Sequence, residues 1–265
     1  MENIDKHKQV MRANKNLYNN SAEVRYDLQR FTDVPYLKIY MPRTIRYCIE
    51  KLDITLFNHK IKVLDIGTGT GHLLTYLLNY VPAEAIWAVD VSEKNIEMGK
   101  RHFPNVNFYI GDFIHDFKPD IKFDLISAFS AVHHFYNWQS VFNKIDTLLN
   151  KRGVIYIDHE PTAGLALKTC SFIAKVKNFN RPGRLLAEYH QFFEYITPFN
   201  IYNYLKERNY KVELFLSNIA LIGEAYKKLG LNIAPFVGGE ILIDKKFKRI
   251  LRHLFLSYKI IAKKL

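Results

Sequence analysis

The sequence predicts an α/β fold: a doubly wound, mostly parallel sheet of seven strands with a helical amino-terminal cap and insertions. Three observations predict it. Strand-length apolar runs alternate with helical periods between residues 62 and 158. One of these runs, VLDIGTGTGHLL at 63–74, passes from an apolar strand through one acid into glycines at every second position. Two further runs, AIWAVD and VNFYIGD, also end in aspartate, so acids gather where open α/β sheets hold their ligands.

Residues 1–57 form the expected cap and 58–265 the main domain. Within the cap, 21–31 reads as helical, and Pro42 suits the first turn of a further helix with Ile45, Cys48, Ile49 and Leu52 on one face. Strands are expected at 62–65, 85–90, 106–110, 123–128 and 154–158, with helices at 72–80, 93–103 and 138–150 between them. After the fifth strand, 164–178 reads as a helix and FNRPGR at 179–184 as a turn. A helix at 198–208 and a strand at 210–216 come next. The segment FLSYKIIAKK alternates like an antiparallel strand, which leaves 161–200 and 217–253 as insertions.

With 265 residues and 48% hydrophobic content, the chain buries a sizeable core without disulfide or metal staples. Cys48 and Cys170 make neither a disulfide framework nor a zinc site, so a reducing cytoplasm is expected and no metal ligands stand out. The start, MENIDKHKQVMRANKN, is charged and lacks the apolar region of a secretory signal. No window approaches the ~20 apolar residues of a membrane span. Net charge is +12, but residues 245–265 carry eight Lys or Arg and no acid, which leaves +4 for the rest. Its first part, KKFKRILRHLF at 245–255, reads as a surface helix packing one face, or as a patch approaching anionic lipid or nucleic acid.

The glycine turn suits an aminoacyl ligand. Gly67, Gly69 and Gly71 let backbone lie directly against it, an N-terminal helix end at Gly71 suits a carboxylate, and Asp65 suits an ammonium. A dinucleotide turn spaced G-x-G-x-x-G requires glycine at His72, which is absent. In this form the segment resembles motif I of the class I S-adenosylmethionine-dependent methyltransferases. The resemblance covers about residues 60–160 and implies their Rossmann-like fold, with FLSYKIIAKK as its closing antiparallel strand. It implies S-adenosyl-L-methionine as cofactor, with Asp90, 19 residues after Gly71, accepting the ribose hydroxyls. Asp112 would bind the adenine amino group and Phe113 the ring. The cofactor-binding set it implies is Asp65, Gly67, Thr68, Gly69, Gly71, Asp90, Val91, Asp112, Phe113 and Phe129.

FDLISAFSAVHHFYNW is similar to the corresponding stretch of small-molecule methyltransferases of the ubiquinone-biosynthesis type. LLNKRGVIYIDHEP resembles their Lys-Pro-Gly-Gly segment, with Arg152 where proline is usual. Methyl transfer is an in-line displacement, so the protein aligns, desolvates and, where the acceptor needs it, removes a proton. His134, and next to it His133, are the general-base candidates, against a structural role in the loop. His159 and Glu160 at the fifth strand's end, with Tyr189 and His190 from a cap, are the substrate-contact candidates. Tyr18, Tyr26, Tyr36 and Tyr40 cover the cofactor, line an acceptor pocket or pack in the core.

Absences narrow the acceptor. The Asn/Asp-Pro-Pro-aromatic motif of base-amine methylation is replaced by SAVHH, no cysteine sits in a nucleophile motif, and no double-glutamate loop is evident. A small-molecule acceptor is the expectation. An RNA- or ribosome-directed methyltransferase and a non-catalytic binding protein of the same fold are the alternatives.

Overall fold

Strand β1 (Val63–Ile66) is buried at all four residues, as expected for a parallel strand covered on both faces. It pairs in parallel with β2 (Ile86–Asp90) and β4 (Phe123–Phe129), while β3 (Asn107–Ile110) pairs with β2 and β5 (Leu149–Pro161) with β4. The other side is antiparallel: β8 (Ser257–Lys264) lies between β5 and β6 (Tyr210–Ser217), and β7 (Ile241–Leu242) adds a short edge to β6. The strand order is therefore 3-2-1-4-5-8-6-7, the seven expected strands plus that two-residue addition. The computed structural model describes residues 2–19, 35–52, 61–162, 164–165, 197–217, 241–242 and 255–265. The expected helices at 21–31 and 164–178, the turn at 179–184 and most of 217–253 lie outside the described residues, as does the basic run before residue 255.

Six α-helices flank the sheet among the described residues: α1 (Glu2–Tyr18), α2 (Pro35–Lys51), α3 (Leu74–Leu77), α4 (Glu93–His102), α5 (Trp138–Leu148) and α6 (Pro198–Glu207). Because strand side chains alternate, the sheet carries two cores. Leu64, Ile66, Ile126 and Ile155 pack with Val141, Phe142 and Ile145 of α5 and with Ile201 and Leu205 of α6. Val63, Ile86, Leu125 and Tyr156 pack on the other face with Leu37, Met41, Ile45 and Cys48 of α2 and Leu74 and Leu77 of α3. Each fully buried aliphatic or Phe side chain contributes about 1.5–3 kcal/mol.

Two expectations need correction. Helix α2 does not begin at Pro42. It begins at Pro35 and runs through Pro42, because its buried face, Leu37, Met41, Ile45, Cys48 and Leu52, continues across the proline and outweighs the lost backbone bond. The helix expected at 72–80 is only the four residues of α3. Short turns closed by Gly71 N–H to Thr68 O and Leu74 N–H to Gly71 O use up its first turn. The charged start of the chain, part of the expected helical cap, is the 17-residue helix α1.

Candidate active site

Register brings the acids to one edge. Ile66 stands opposite Val89 on β2 and Ala128 on β4, and Asp90 stands opposite Ile110 on β3. Asp65, Asp90, Asp112 and Phe129 therefore emerge along the carboxyl ends of adjacent strands. Gly67, Gly69 and Gly71 all take positive φ, at 63°, 56° and 92°. The turn is tied down by Gly67 and Thr68 N–H to Val89 O and by Gly69 N–H to Asp90 Oδ2 at 2.8 Å. A Cβ on Gly67 would lie 2.7 Å from that of Ala131, so glycine there lets the loop after β4 press against the turn.

Each acid has a different environment. Burial pushes Asp65 up to about 7, although Ser127 Oγ donates to its Oδ1 at 2.8 Å. Burial also raises Asp90, opposed by the Ser92 and Gly69 N–H groups on its two oxygens, with Asn95 and the Val91 N–H adding to them. Asp112 is held below the usual carboxylate range: burial raises it, and His7, the Ile114 N–H and His115 together outweigh that. His7 Nε2 and His115 Nδ1 approach the same Asp112 oxygen at 2.6 and 2.7 Å. Phe113 is buried against Phe117 and Phe135, and Val91 is half-buried beside Asp90.

The loop after β4 is built on Glu160. This carboxylate is completely enclosed and accepts from the backbone N–H groups of Ala131, Val132 and His133 and from His133 Nδ1, at 2.8 to 3.1 Å. It is therefore the base of the loop, and its enclosure corrects the expectation of a substrate contact. The Nδ1 proton of His133 is fixed toward Glu160, so Nε2 is its basic nitrogen. His134 is held from the other side, with Tyr18 OH 3.0 Å from its Nε2 and Asn14 Nδ2 donating to its backbone oxygen at 3.0 Å. Helix α1 thus lies across the site, and its Lys15 pairs with Glu93 at 2.6 Å.

At the end of β5, Asp158 accepts from Tyr40 OH at 2.8 Å and Tyr156 OH at 2.6 Å, and contacts His159 Nδ1 at 3.0 Å. His159 takes φ of 57°, and its ring lies 4.4 Å from Phe129, which also neighbours His72 at 5.7 Å. Burial, with His159 nearby, pushes His72 down to about 3, so it is neutral in this cluster. The buried Lys259 ammonium sits over the Tyr40 and Phe215 rings at 5.0 and 4.6 Å. Burial pushes the Cys48 thiol up, which removes it as a nucleophile.

The edge thus gathers Asp65, the glycine turn with Thr68, Asp90, Asp112, Phe129, His133, His134 and His159. Tyr189, His190, Tyr26 and Cys170 lie outside the described residues. Sequence reasoning missed His7, Asn14, His72, Asp158 and Lys259. The signal for α1 was present as a helical spacing of His7, Val10, Asn14 and Tyr18, but two of its buried positions are polar.

The comparisons agree with this architecture. The methyltransferase-domain family matches residues 57–209. A malonyl-[acyl-carrier protein] O-methyltransferase of Priestia megaterium is 32% identical over 123 residues, covering 46% of this chain and 41% of that protein. The chain thus spans about two-fifths of the length of that curated relative. A demethylmenaquinone methyltransferase of Thermotoga maritima is 25% identical over 57% of this chain and 70% of its own. The plantazolicin methyltransferase BpumL, solved in complex with SAH, shares the fold at a TM-score of 0.61 and 15% identity, covering 100% of both chains. This chain belongs to the methyltransferase-domain family, as a class I domain of the S-adenosylmethionine-dependent type. Among the described residues, no helix is long and apolar enough to cross a membrane.

Proposed function

We propose that the protein methylates a small-molecule acceptor, with S-adenosylmethionine as the methyl donor, in a reducing cytoplasmic setting. The observation that carries this reading is the row of acids at the ends of β1, β2 and β3 beside three positive-φ glycines, within a family-matched domain. When bound, the cofactor supplies a methyl group activated by a positive sulfur. The residues present fit it. Asp65, raised by burial, gains a partner in an ammonium, and Asp90, raised in the same way, gains donors in two hydroxyls. The backbone of the glycine turn comes close enough to receive a carboxylate, with little help from the four-residue α3.

On the acceptor side, Phe129, His72, His159 and Tyr40 form an aromatic wall that excludes water. His133 is the better-supported base, because buried Glu160 fixes its tautomer and orients its ring. His134, the first choice from sequence, engages Tyr18 through its Nε2. The relatives' names span a malonyl-acyl-carrier protein and demethylmenaquinone, which supports a non-nucleic-acid acceptor of no single chemistry.

The test is incubation of the full chain with methyl-deuterated S-adenosylmethionine and cell extract, followed by mass spectrometry. A labelled small molecule is expected. Label found only in RNA, or cofactor that fails to bind in calorimetry, overturns the proposal.

A further inference from the structure

We infer that His7, Asp112 and His115 form a site for one divalent transition-metal ion, of the zinc or cobalt kind, that joins α1 to the end of β3. Among the described residues these three bring their ligand atoms within 4.8 Å of one another. Asp112 and His115 stand three residues apart, but His7 lies 105 residues before Asp112, which is why no ligand spacing marked the set. The two rings, with centroids 4.7 Å apart, converge on the same carboxylate oxygen. A tether between helix and sheet needs only one such pair; a second imidazole on the same oxygen is the arrangement of a ligand set.

The donors choose the ion. Two imidazole nitrogens and one carboxylate oxygen suit zinc, cobalt, nickel or ferrous iron, whereas calcium and magnesium prefer all-oxygen shells. A tetrahedral ion about 2.0–2.1 Å from each donor needs donors roughly 3.3 Å apart. The 2.7 Å contact opens to that spacing by rotation of His115, whose side chain is 53% exposed, and the 2.6 Å contact by a shift of under about 1 Å of the His7 ring away from Asp112. The carboxylate is already oriented, since its Oδ1 accepts from Ile114 N–H at 2.9 Å and the Asp112 N–H donates to Asp116 Oδ2 at 3.0 Å. His7 is buried, so the inner side of the site is shielded from water. On binding, each coordinating nitrogen offers its lone pair, and a neutral ring keeps its proton on the other nitrogen. The ion is not needed for methyl transfer; it fastens α1 over the domain.

The test is calorimetric titration of the EDTA-treated full chain with zinc chloride and cobalt chloride alone. One ion per chain at micromolar or tighter affinity is expected, with weakening by more than about tenfold in both His7→Ala and His115→Ala. His115 is exposed enough that its replacement leaves the fold intact by circular dichroism, which keeps the test valid should His7→Ala loosen α1. Absence of saturable binding, or unchanged affinity in both variants, overturns the inference. S-adenosylmethionine binding by the EDTA-treated protein is read separately, so a failed metal site leaves the proposed function standing.

Discussion

The two halves of the sheet's carboxyl edge treat their buried acids in opposite ways. At β1 and β2, burial raises Asp65 and Asp90 in spite of the hydrogen bonds that they accept. At β5, Glu160 accepts four hydrogen bonds, and Asp158, which burial alone would raise, is held low mainly by His159 and Lys259. Burial that outweighs the hydrogen bonds means that the first pair costs free energy until a ligand completes it. Full satisfaction means that the second pair holds loop and strand in place with or without ligand. One half of the edge is thus built to receive and the other to support.

The sharpest way to break this contrast is Glu160→Ala, which leaves three backbone N–H groups and His133 without their acceptor. Unfolding in urea is expected to show a loss of about 4 kcal/mol, from several buried donors at about 1–3 kcal/mol each without full additivity. A loss comparable to that of a surface substitution would remove the supporting role. Asp65→Asn is the converse. It should weaken S-adenosylmethionine binding by about 3 kcal/mol in calorimetry, while unfolding stability changes by less than about 1 kcal/mol. If stability falls as far as affinity, Asp65 belongs with the supporting acids.

His133→Ala tests whether the supporting half reaches the chemistry. Turnover is expected to fall about 100-fold, with cofactor affinity intact and a smaller loss for His134→Ala. Equal effects in single-turnover assays would return both histidines to a loop role. The smallest effect is in pH. Asp65, raised to about 7, is neutral below that value and ionised above it. Cofactor affinity should therefore level off above pH 7 and drop by up to about tenfold per unit below it. A flat profile from pH 5.5 to 8 would separate Asp65 from the ammonium.

The receiving half is the legible half. Its acids end apolar strands and its glycines fall at fixed offsets, and both patterns follow from local backbone requirements. Strand β8 is legible for the same reason, since its alternation survives the long insertion before it. What stays hidden depends on tertiary pairing. The buried face of α1 carries His7 and Asn14, so no apolar period marks it, and their partners Asp112 and His134 lie more than a hundred residues away. Glu160 has the composition of a substrate contact and only the fold reveals its enclosure. Arg152 stands where the family favours proline, and its φ of 62° shows why: the pyrrolidine ring cannot adopt that turn.

Placing β8 between β5 and β6 has a consequence for biosynthesis. The strand made last of the eight sits in the interior of the sheet, so β5 and β6 cannot be bridged until residues 257–264 leave the ribosome. During translation both present unsatisfied ladder edges, the form of exposed strand that invites mispairing. Nascent chains arrested before residue 257 should be the most chaperone-dependent species this protein passes through.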